Sequence, residues 1–319
     1  MDILKEVLQA EERIRPYVHE TALLRSAYLS ETGKASVRCK LENLQHTGSF
    51  KVRGALNKLL SLSLDTMAGG IVAASTGNHG AAVAWSAQTL NVRSLVFVTE
   101  NTDSSKVEAV MGYGAEVRRH GADCLETEVH AREYAGKHNM TYVPPYNDPQ
   151  VIGGQGTIGV ELSRQTAGID AVFVSVGGGG LISGIATYLK SVQPGLRVIG
   201  CSPENSQVMI QSLKAGRILS LPSLPTLSDG TAGGVEAGSI TFDLCRGLVD
   251  DYVTVTEDEI AEGLRLFLKA HDMVIEGAAA VAVASYLKIR DRFRGKSVVI
   301  VICGANISPG TLKQVLSPQ

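Results

Sequence analysis

Residues 70–90 read GIVAASTGNHGAAVAWSAQTL and join a strand pattern to a helix pattern. GIVAAS, at 70–75, is a short apolar run of the kind that forms a buried strand, whereas NHGAAVAWSAQTL, at 78–90, has the length of a helix. Small and polar residues make the turn between them. A strand, a turn and a helix in this order predict one βα unit of a parallel sheet.

The same alternation continues along most of the chain. Further strands are expected at SLVFV (94–98), AEVRRH (115–120), TYVP (141–144), DAVFVSV (170–176), LRVIGC (196–201) and KSVVIVIC (296–303). Helical patterns separate them, for example near 104–112 and 122–138. Apolar strands of this kind, separated by helices, indicate parallel sheets covered on both faces. The predicted fold class is therefore α/β, with two open, twisted and mostly parallel sheets flanked by helices.

The three βα units between about 70 and 147 form a self-contained group. We therefore expect two domains: a small mobile domain at 70–147, and a large domain made of 1–69 and 148–319. Ligands bind open parallel sheets beyond the carboxyl ends of the strands. The turns that follow strands are thus the places to search for functional residues.

The composition excludes several classes of partner. The 319 residues include 30 basic and 32 acidic side chains, and the formal net charge of −2 gives no indication of binding to nucleic acid or to an acidic membrane surface. No run of 18 apolar residues predicts a membrane span, and the amphipathic start MDILKEVLQAEERIRPYV is not typical of a signal peptide. Five scattered cysteines without a C-x-x-C motif fit free thiols, so we expect a cytoplasmic protein.

Two turns between a strand and a helix suit the binding of anions. In SVGGGGLISG (175–184), four glycines expose backbone N–H groups at a helix start, which suits a phosphate; close packing of helix on sheet would also require glycines. In ASTGNHGAA (74–82), hydroxyls, an amide and backbone donors at a helix start suit a carboxylate, although an ordinary N-cap has the same composition.

Two further turns carry reactive side chains. In TGSFKVRGA (47–55), Lys51 begins on or beside the buried face of a helix, where a lysine must be paired, lose its proton or extend to solvent. In VICGANIS (301–308), Cys303 ends a buried strand, where a small buried thiol is equally common. Taken together, a lysine for an aldehyde, a glycine turn for a phosphate and a polar group for a ring nitrogen are the three contacts that pyridoxal phosphate needs.

The segments ENLQHTGSFKVRGA, STGNHG, GGGGL and CGAN, in this order, resemble the fold type II pyridoxal-phosphate enzymes, the tryptophan synthase beta-like group. The threonine and serine dehydratases and the serine racemases are the most similar members. The likeness extends from about residue 12 to 310, although Ala22 stands where a proline is more usual. The resemblance implies pyridoxal 5'-phosphate as cofactor, a small amino acid as substrate and a homodimer.

The resemblance also implies the roles of individual residues. Lys51 and Thr76 are the expected catalytic residues, with Lys51 forming the Schiff base to the cofactor. The implied cofactor contacts are Phe50, Lys51, Asn78, Gly177, Gly178, Gly179, Gly180, Leu181, Gly230, Glu276 and Cys303. The implied substrate contacts are Ser75, Thr76, Gly77, Asn78, His79 and Asn147.

The activity that the resemblance implies is β-elimination. Lys51 takes the Cα proton of a β-hydroxy L-amino acid, and the hydroxyl leaves Cβ as water with a proton from the cofactor phosphate. The resulting aminoacrylate is then hydrolysed to a 2-oxo acid and ammonia. Cys303 facing the ring nitrogen, in place of an acid, favours prompt elimination over transamination. The alternative is an amino-acid racemase in which Lys51 and Thr76 act on opposite faces of the substrate. A non-enzymic α/β protein that binds a nucleotide is a third hypothesis.

Two questions stay open at this point. Metal-activated relatives carry two acids where this chain has Ser202 and Val208, so we expect no divalent metal at that place. The segment DGTAGGVEAG (229–238) is richer in glycine than the usual threonine dehydratase loop, so the substrate can differ from threonine. Serine, a substituted serine, 3-hydroxyaspartate and a hydroxyectoine-derived diamino acid are the alternatives.

Overall fold

Two β-sheets organise the chain, for which a computed structural model describes residues 2–317. Within those residues the strands are β1 (Leu23–Arg25), β2 (Ser36–Leu41), β3 (Ile71–Ala74), β4 (Ser94–Val98), β5 (Glu116–Arg119), β6 (Thr141–Tyr142), β7 (Ala171–Ser175), β8 (Arg197–Pro203), β9 (Asp251–Val255) and β10 (Ser297–Ile302). The α-helices are α1 (Ile3–Ile14), α2 (Ala27–Gly33), α3 (Lys51–Leu60), α4 (Leu64–Ala68), α5 (Asn78–Thr89), α6 (Ser104–Met111), α7 (Cys124–Lys137), α8 (Pro149–Gln165), α9 (Gly180–Val192), α10 (Val208–Ala215), α11 (Ile240–Leu248), α12 (Glu257–His271), α13 (Gly277–Ile289) and α14 (Pro309–Leu316). None of the described helices is both long enough and apolar enough to span a membrane.

The larger sheet has six strands in the order β1-β2-β10-β7-β8-β9. Its neighbours are parallel except for the edge pair, in which β1 runs antiparallel to β2 with Leu24 opposite Cys39. The central strands β7 and β10 are almost entirely buried, as their unbroken apolar sequences predict. The α/β class with mostly parallel sheets is confirmed.

The smaller sheet has four parallel strands in the order β5-β4-β3-β6. The strand and helix predicted from residues 70–90 are β3 and α5, joined by a short turn. All four strands lie between Ile71 and Tyr142, inside the segment expected to form the small domain. Mobility of that segment stays a prediction.

Sequence periodicity missed three strands, which are β1, β2 and β9. The strand β2 has the sequence SVRCKL, in which Arg38 and Lys40 interrupt the apolar pattern that usually indicates a buried strand. Lys40 is nevertheless fully buried, because Nζ contacts the Glu161 carboxylate and donates to Thr21 O at 2.7 Å. A charge inside a strand is tolerated when such partners offset part of the desolvation cost.

A group of four fully buried charges fixes α3 from below. Arg53 on α3 donates to Glu42 (Nε–Oε2 2.7 Å) and to Glu161 on α8 (Nη1–Oε1 2.7 Å), and Lys40 binds the same Glu161. We call Lys40, Glu42, Arg53 and Glu161 the buried ion network. The network connects α3 to the large sheet and to α8. Its member on α3, Arg53, lies two positions after Lys51 in the chain.

Candidate active site

A cleft of about 2160 Å³ lies where the carboxyl ends of the strands of both sheets face each other. The turns after β3, β7 and β10 and the start of α3 all reach it. Nearly all the site residues expected from the sequence line this cleft: Phe50, Lys51, Ser75, Thr76, Gly77, Asn78, His79, Gly177, Gly178, Gly179, Gly180, Leu181, Gly230, Glu276 and Cys303. Residues from distant parts of the sequence therefore meet in one place.

Lys51 is the first residue of α3 and projects into the cleft. Its Nζ donates a hydrogen bond to the carbonyl oxygen of Pro145 at 2.8 Å. Burial lowers the pKa of Lys51 to about 8, although Cys303 and Glu276 act in the opposite direction. The side chain is thus held in one place and is far easier to deprotonate than a surface lysine.

The glycine turn after β7 is imposed by close packing against Tyr146 and Thr231. A Cβ on Gly178 would lie 2.4 Å from the ring of Tyr146, and one on Gly177 would lie 2.8 Å from Thr231 O. Gly179 has φ +86°, a conformation that favours glycine. Because α9 begins at Gly180, its first N–H groups lack partners inside the helix and point toward the cleft end, which suits a phosphate.

A hydrogen-bonded cluster connects the two sheets across the cleft. Asn78, the first residue of α5, donates Nδ2 to both carboxylate oxygens of Glu276 at 3.0 and 2.9 Å. Asn306 donates its Nδ2 to Asn78 Oδ1 at 2.6 Å and its backbone N–H to Glu276 Oε2 at 3.1 Å. Burial raises the pKa of Glu276 to about 7. The carboxyl can therefore change its proton content near neutral pH.

Cys303 lies directly after β10, with Sγ 3.9 Å from Glu276 Oε1. Burial raises the pKa of the Cys303 thiol well above its usual range, and the nearby Glu276 carboxyl raises it further. Cys303 is thus a neutral group at this end of the cleft.

The turn after β3 offers hydroxyls and helix N–H groups. Ser75 Oγ accepts a hydrogen bond from Gly77 N at 3.1 Å, and Thr76 lines the cleft with no hydrogen bond from its hydroxyl to another described residue. His79 is buried, with Nε2 2.8 Å from Val143 O. Burial, and then the nearby Lys51, lower the pKa of His79 to about 3, so its imidazole stays neutral and orders the turn.

Asn147 is the exception among the expected site residues. Its Nδ2 donates to Glu236 Oε2 at 2.9 Å, and its Oδ1 accepts from the backbone N–H of Ile240 at 3.1 Å. Both ends of the amide are therefore occupied, and the neighbouring Tyr146 lines the cleft instead. The sequence could not show this, because the partners lie 89 and 93 positions away.

Several cleft residues were missed from the sequence. They are Glu128 and Arg132 on α7, Tyr146, Gln155 on α8 and Asn306. Only Asn306 had a signal, since it belongs to the CGAN segment. The others lie on helices or beside prolines without any motif.

The positions considered for a metal hold other contacts. Ser202 donates its hydroxyl to Val176 O at 3.0 Å, and Val208 is buried at the start of α10. Among the described residues, no group of three or more His, Cys, Asp or Glu side chains has the arrangement of a metal site.

The residues of the cleft fit pyridoxal phosphate. The buried Oε1 of Gln155 and the buried Oγ1 of Thr47 have no hydrogen-bond partner among the described residues, and both residues line the cleft. Unpaired buried polar atoms are costly, so a polar ligand is expected beside them. A buried lysine, a glycine turn at a helix start and the neutral Cys303, whose carbonyl oxygen accepts from Phe50 N at 3.1 Å, suit the aldehyde, phosphate and ring of this cofactor.

Comparison with known proteins agrees with this interpretation. Residues 14–304 match the family model described as pyridoxal-phosphate dependent enzyme. The chain is 40% identical over 317 residues to L-threonine ammonia-lyase of Thermotoga maritima, covering 99% of this chain and 79% of that one. It is 38% identical to the catabolic L-threonine dehydratase TdcB of Escherichia coli K12, covering 98% of this chain and 95% of that one.

Solved structures show the same fold. The processed form of threonine deaminase isoform 2 from Solanum lycopersicum superposes with a TM-score of 0.94 at 34% identity, covering 98% of this chain and 86% of that one. Serine racemase from Dictyostelium discoideum gives a TM-score of 0.89 at 35% identity, covering 96% of this chain and 98% of that one. The chain belongs to the family of pyridoxal-phosphate dependent enzymes and has the fold of its type II members. Pyridoxal phosphate is its cofactor, as the four sequence segments predicted.

Proposed function

We propose that this enzyme is an ammonia-lyase that converts a β-hydroxy L-amino acid into a 2-oxo acid and ammonia. The observation that carries the proposal is the position of Lys51, whose Nζ lies in the cleft with its pKa lowered to about 8, close to a neutral Cys303. Relatives that match nearly the whole chain bear threonine ammonia-lyase and threonine dehydratase names, which supports the same reaction here.

The chain's own groups account for binding and proton transfer. When bound, pyridoxal phosphate supplies an aldehyde that bonds to the substrate amine and a ring that withdraws electrons from Cα. The Ser75 hydroxyl and the N–H groups at the start of α5 bind the substrate carboxylate. Lys51, oriented by Pro145 O, takes the Cα proton in its neutral form. Cys303 stays uncharged and donates no full proton to the ring end.

A racemase is the second candidate, because of the position of one side chain in the cleft, that of Thr76. The Thr76 hydroxyl lines the cleft without a hydrogen-bond partner among the described residues, so it is free to exchange a proton with a substrate. The serine racemase of D. discoideum also shares the fold at 35% identity. Elimination is favoured because a threonine side chain restricts the rotation of its hydroxyl.

One assay separates these candidates. The purified enzyme with its cofactor is given L-serine, L-threonine and substituted serines, and release of 2-oxo acid and ammonia is measured together with the enantiomer ratio of substrate recovered midway. We expect 2-oxo acid release with little enantiomer exchange. Exchange that outpaces release would establish the racemase, and a colourless protein that binds no cofactor would contradict both.

We also infer that residues 70–147 form a mobile domain over the cleft. Its polar contacts to the rest of the chain lie along the cleft and include Asn78–Glu276, Arg132–Glu236 and Lys106–Asp229, whereas behind them β3 and α5 share a buried apolar core with α3. Exposed ion pairs contribute little stability, so α6 and α7 can move at low cost, whereas the apolar core shared with α3 holds β3 and α5 in place. Hydrogen exchange in α6 and α7 should slow when a substrate analogue binds.

A homodimer in the cytoplasm is the remaining part of the proposal. The family resemblance supports the dimer, and four buried free cysteines among the five described support a reducing compartment. Light scattering should give twice the chain mass of 33.8 kDa.

A further inference from the structure

One partly buried carboxylate in the cleft has no hydrogen-bond or ion-pair partner among the described residues. Glu128 lies on α7, lines the cleft and is partly buried. Within the described residues, its carboxylate makes neither a hydrogen bond nor an ion pair, and the charged groups that face it are Arg132, Glu236 and Lys51. Burial raises the pKa of Glu128, because a carboxylate withdrawn from water loses solvation.

The cations nearby are already paired with other acids. Arg132 Nη1 contacts Glu236 Oε1 at 2.9 Å, and its guanidinium lies 4.8 Å from the ring centre of Tyr142. The other oxygen of Glu236 accepts from Asn147. Lys106 on α6 contacts Asp229 at 3.3 Å. Arg132 and Lys106, the cations of α7 and α6 that line the cleft, are therefore paired with other carboxylates and do not contact Glu128.

Lys51 does not neutralise Glu128 in the working enzyme. On the proposed function, which this inference assumes, Lys51 is bonded to the cofactor or is moving the Cα proton, and its Nζ is directed at Pro145 O. The part of the cleft beside α7 thus carries one unpaired negative charge. An unpaired, partly desolvated carboxylate is stabilised when a cation reaches it.

The cleft also has room for a side chain longer than that of threonine. Gly233 and Gly234 line it beside Glu236, and a Cβ added to either would meet nothing within 4 Å. The cleft, of about 2160 Å³, must hold the cofactor as well as the substrate. Open space and an unpaired carboxylate thus coincide in the part of the cleft beside α7.

We propose that Glu128 binds an ammonium group on the side chain of the substrate, so that the enzyme prefers a β-hydroxy diamino acid to threonine. A methyl group would leave Glu128 unpaired, and the second carboxylate of 3-hydroxyaspartate would be repelled by Glu128. Of the substrates that the sequence left open, only the diamino acid carries a side-chain ammonium group that can pair with the Glu128 carboxylate.

The kinetic test compares matched substrates. 4-Aminothreonine differs from threonine by one amino group, and ammonia release gives kcat/KM for each. We expect 4-aminothreonine to be preferred at least tenfold, and Glu128→Gln to lower that preference by about 10- to 100-fold, as for a hydrogen bond to a charged group. Glu133→Gln removes the same charge from an exposed position on the same helix, where Glu133 pairs with Lys137, and should leave the preference unchanged.

A binding measurement separates this inference from the proposed reaction. 2,4-Diaminobutanoate and 2-aminobutanoate lack the β-hydroxyl and cannot eliminate water, but both can shift the visible absorbance of the bound cofactor. We expect the diamino compound to bind more tightly, and Glu128→Gln to remove the difference. Equal binding of the two compounds in the wild type would overturn the assignment. A preference for 4-aminothreonine over threonine that is the same in the wild type and in Glu128→Gln would also overturn it. Absence of 2-oxo acid from every hydroxy amino acid, with the binding difference intact, would instead contradict the lyase alone.

Discussion

Two groups of buried charges lie on either side of the first turn of α3, and they are built in opposite ways. In the buried ion network below, each carboxylate meets a cation: Arg53 contacts both Glu42 and Glu161, and Lys40 contacts Glu161. In the cleft above, Lys51 meets a carbonyl, Glu276 meets amides, and Glu128 has no partner among the described residues.

The pKa directions of the two groups differ accordingly. In the network, burial alone would raise the pKa of Glu161, but Arg53 and Lys40 hold it at about 2, so the charge is permanent. In the cleft, burial prevails, and it lowers the pKa of Lys51 to about 8 and raises that of Glu276 to about 7. Complete pairing makes a fixed support, and incomplete pairing leaves groups that can exchange protons and bind ligands.

The largest effect is expected from Lys51→Ala. In the proposed reaction, loss of the amine removes both the bond to the cofactor and the base for the Cα proton, so turnover should vanish and the visible colour of the lysine-bound cofactor should disappear. The network below α3 is intact in this variant, so the thermal unfolding temperature should stay close to that of the wild type without cofactor. Retained activity would refute the assignment of the cleft.

Arg53→Met tests the other side of the comparison. It leaves Glu42 and Glu161 buried with one cation fewer, and removal of one partner from a buried ion pair costs about 3–5 kcal/mol of stability. Urea unfolding measures this loss. The control is Arg118→Met, which breaks an exposed pair with Glu116 and should cost less than about 1 kcal/mol. If Arg53→Met lowers the free energy of unfolding no more than Arg118→Met does, the buried ion network does not stabilise the fold.

Glu276→Gln tests the titration of the cleft. The folded-state pKa of about 7 lies above the ordinary value of 4.5, so the folded chain binds the proton more tightly than the unfolded chain does. Stability is therefore lost as pH rises from about 4.5 to about 7, by up to about 3 kcal/mol, since one pKa unit corresponds to about 1.4 kcal/mol.

Urea unfolding of the cofactor-free protein at pH 5 and pH 8 measures that loss. Glutamine does not titrate, so Glu276→Gln should be less sensitive to this change in pH than the wild type. Identical pH dependence in both proteins would show that Glu276 keeps an ordinary pKa.

The sequence revealed the cleft more completely than the network. Lys51, Asn78, the glycine turn and Cys303 each follow a turn signal at the end of a strand pattern or at a helix start, and parallel sheets collect such ends at one edge. Lys40 and Glu161 stand 121 positions apart, and neither lies in a local pattern that predicts the other. Glu128 was missed for a similar reason, because a helix that covers a sheet shows its charged face in the sequence but not which of those charges faces a ligand.

Thr76→Ala is expected to have the smallest effect and separates the two candidate reactions most sharply. The Thr76 hydroxyl lines the cleft without a hydrogen bond to a described residue, so in elimination it contributes at most one bond to the substrate, about 1 kcal/mol. Most of kcat for 2-oxo acid release should then remain, with a several-fold change in KM. If the hydroxyl instead delivers a proton in racemisation, its removal should cost roughly a hundredfold or more in enantiomer exchange alone.

Thr76→Ser is the matched variant, since it keeps the hydroxyl and frees its rotation, and any latent racemisation should rise. The measurement is 2-oxo acid formation and enantiomer exchange in all three proteins. Wild-type exchange that exceeds elimination and collapses in Thr76→Ala would show that Thr76 belongs with Lys51 among the proton-exchanging groups of the cleft, and that the reaction is racemisation.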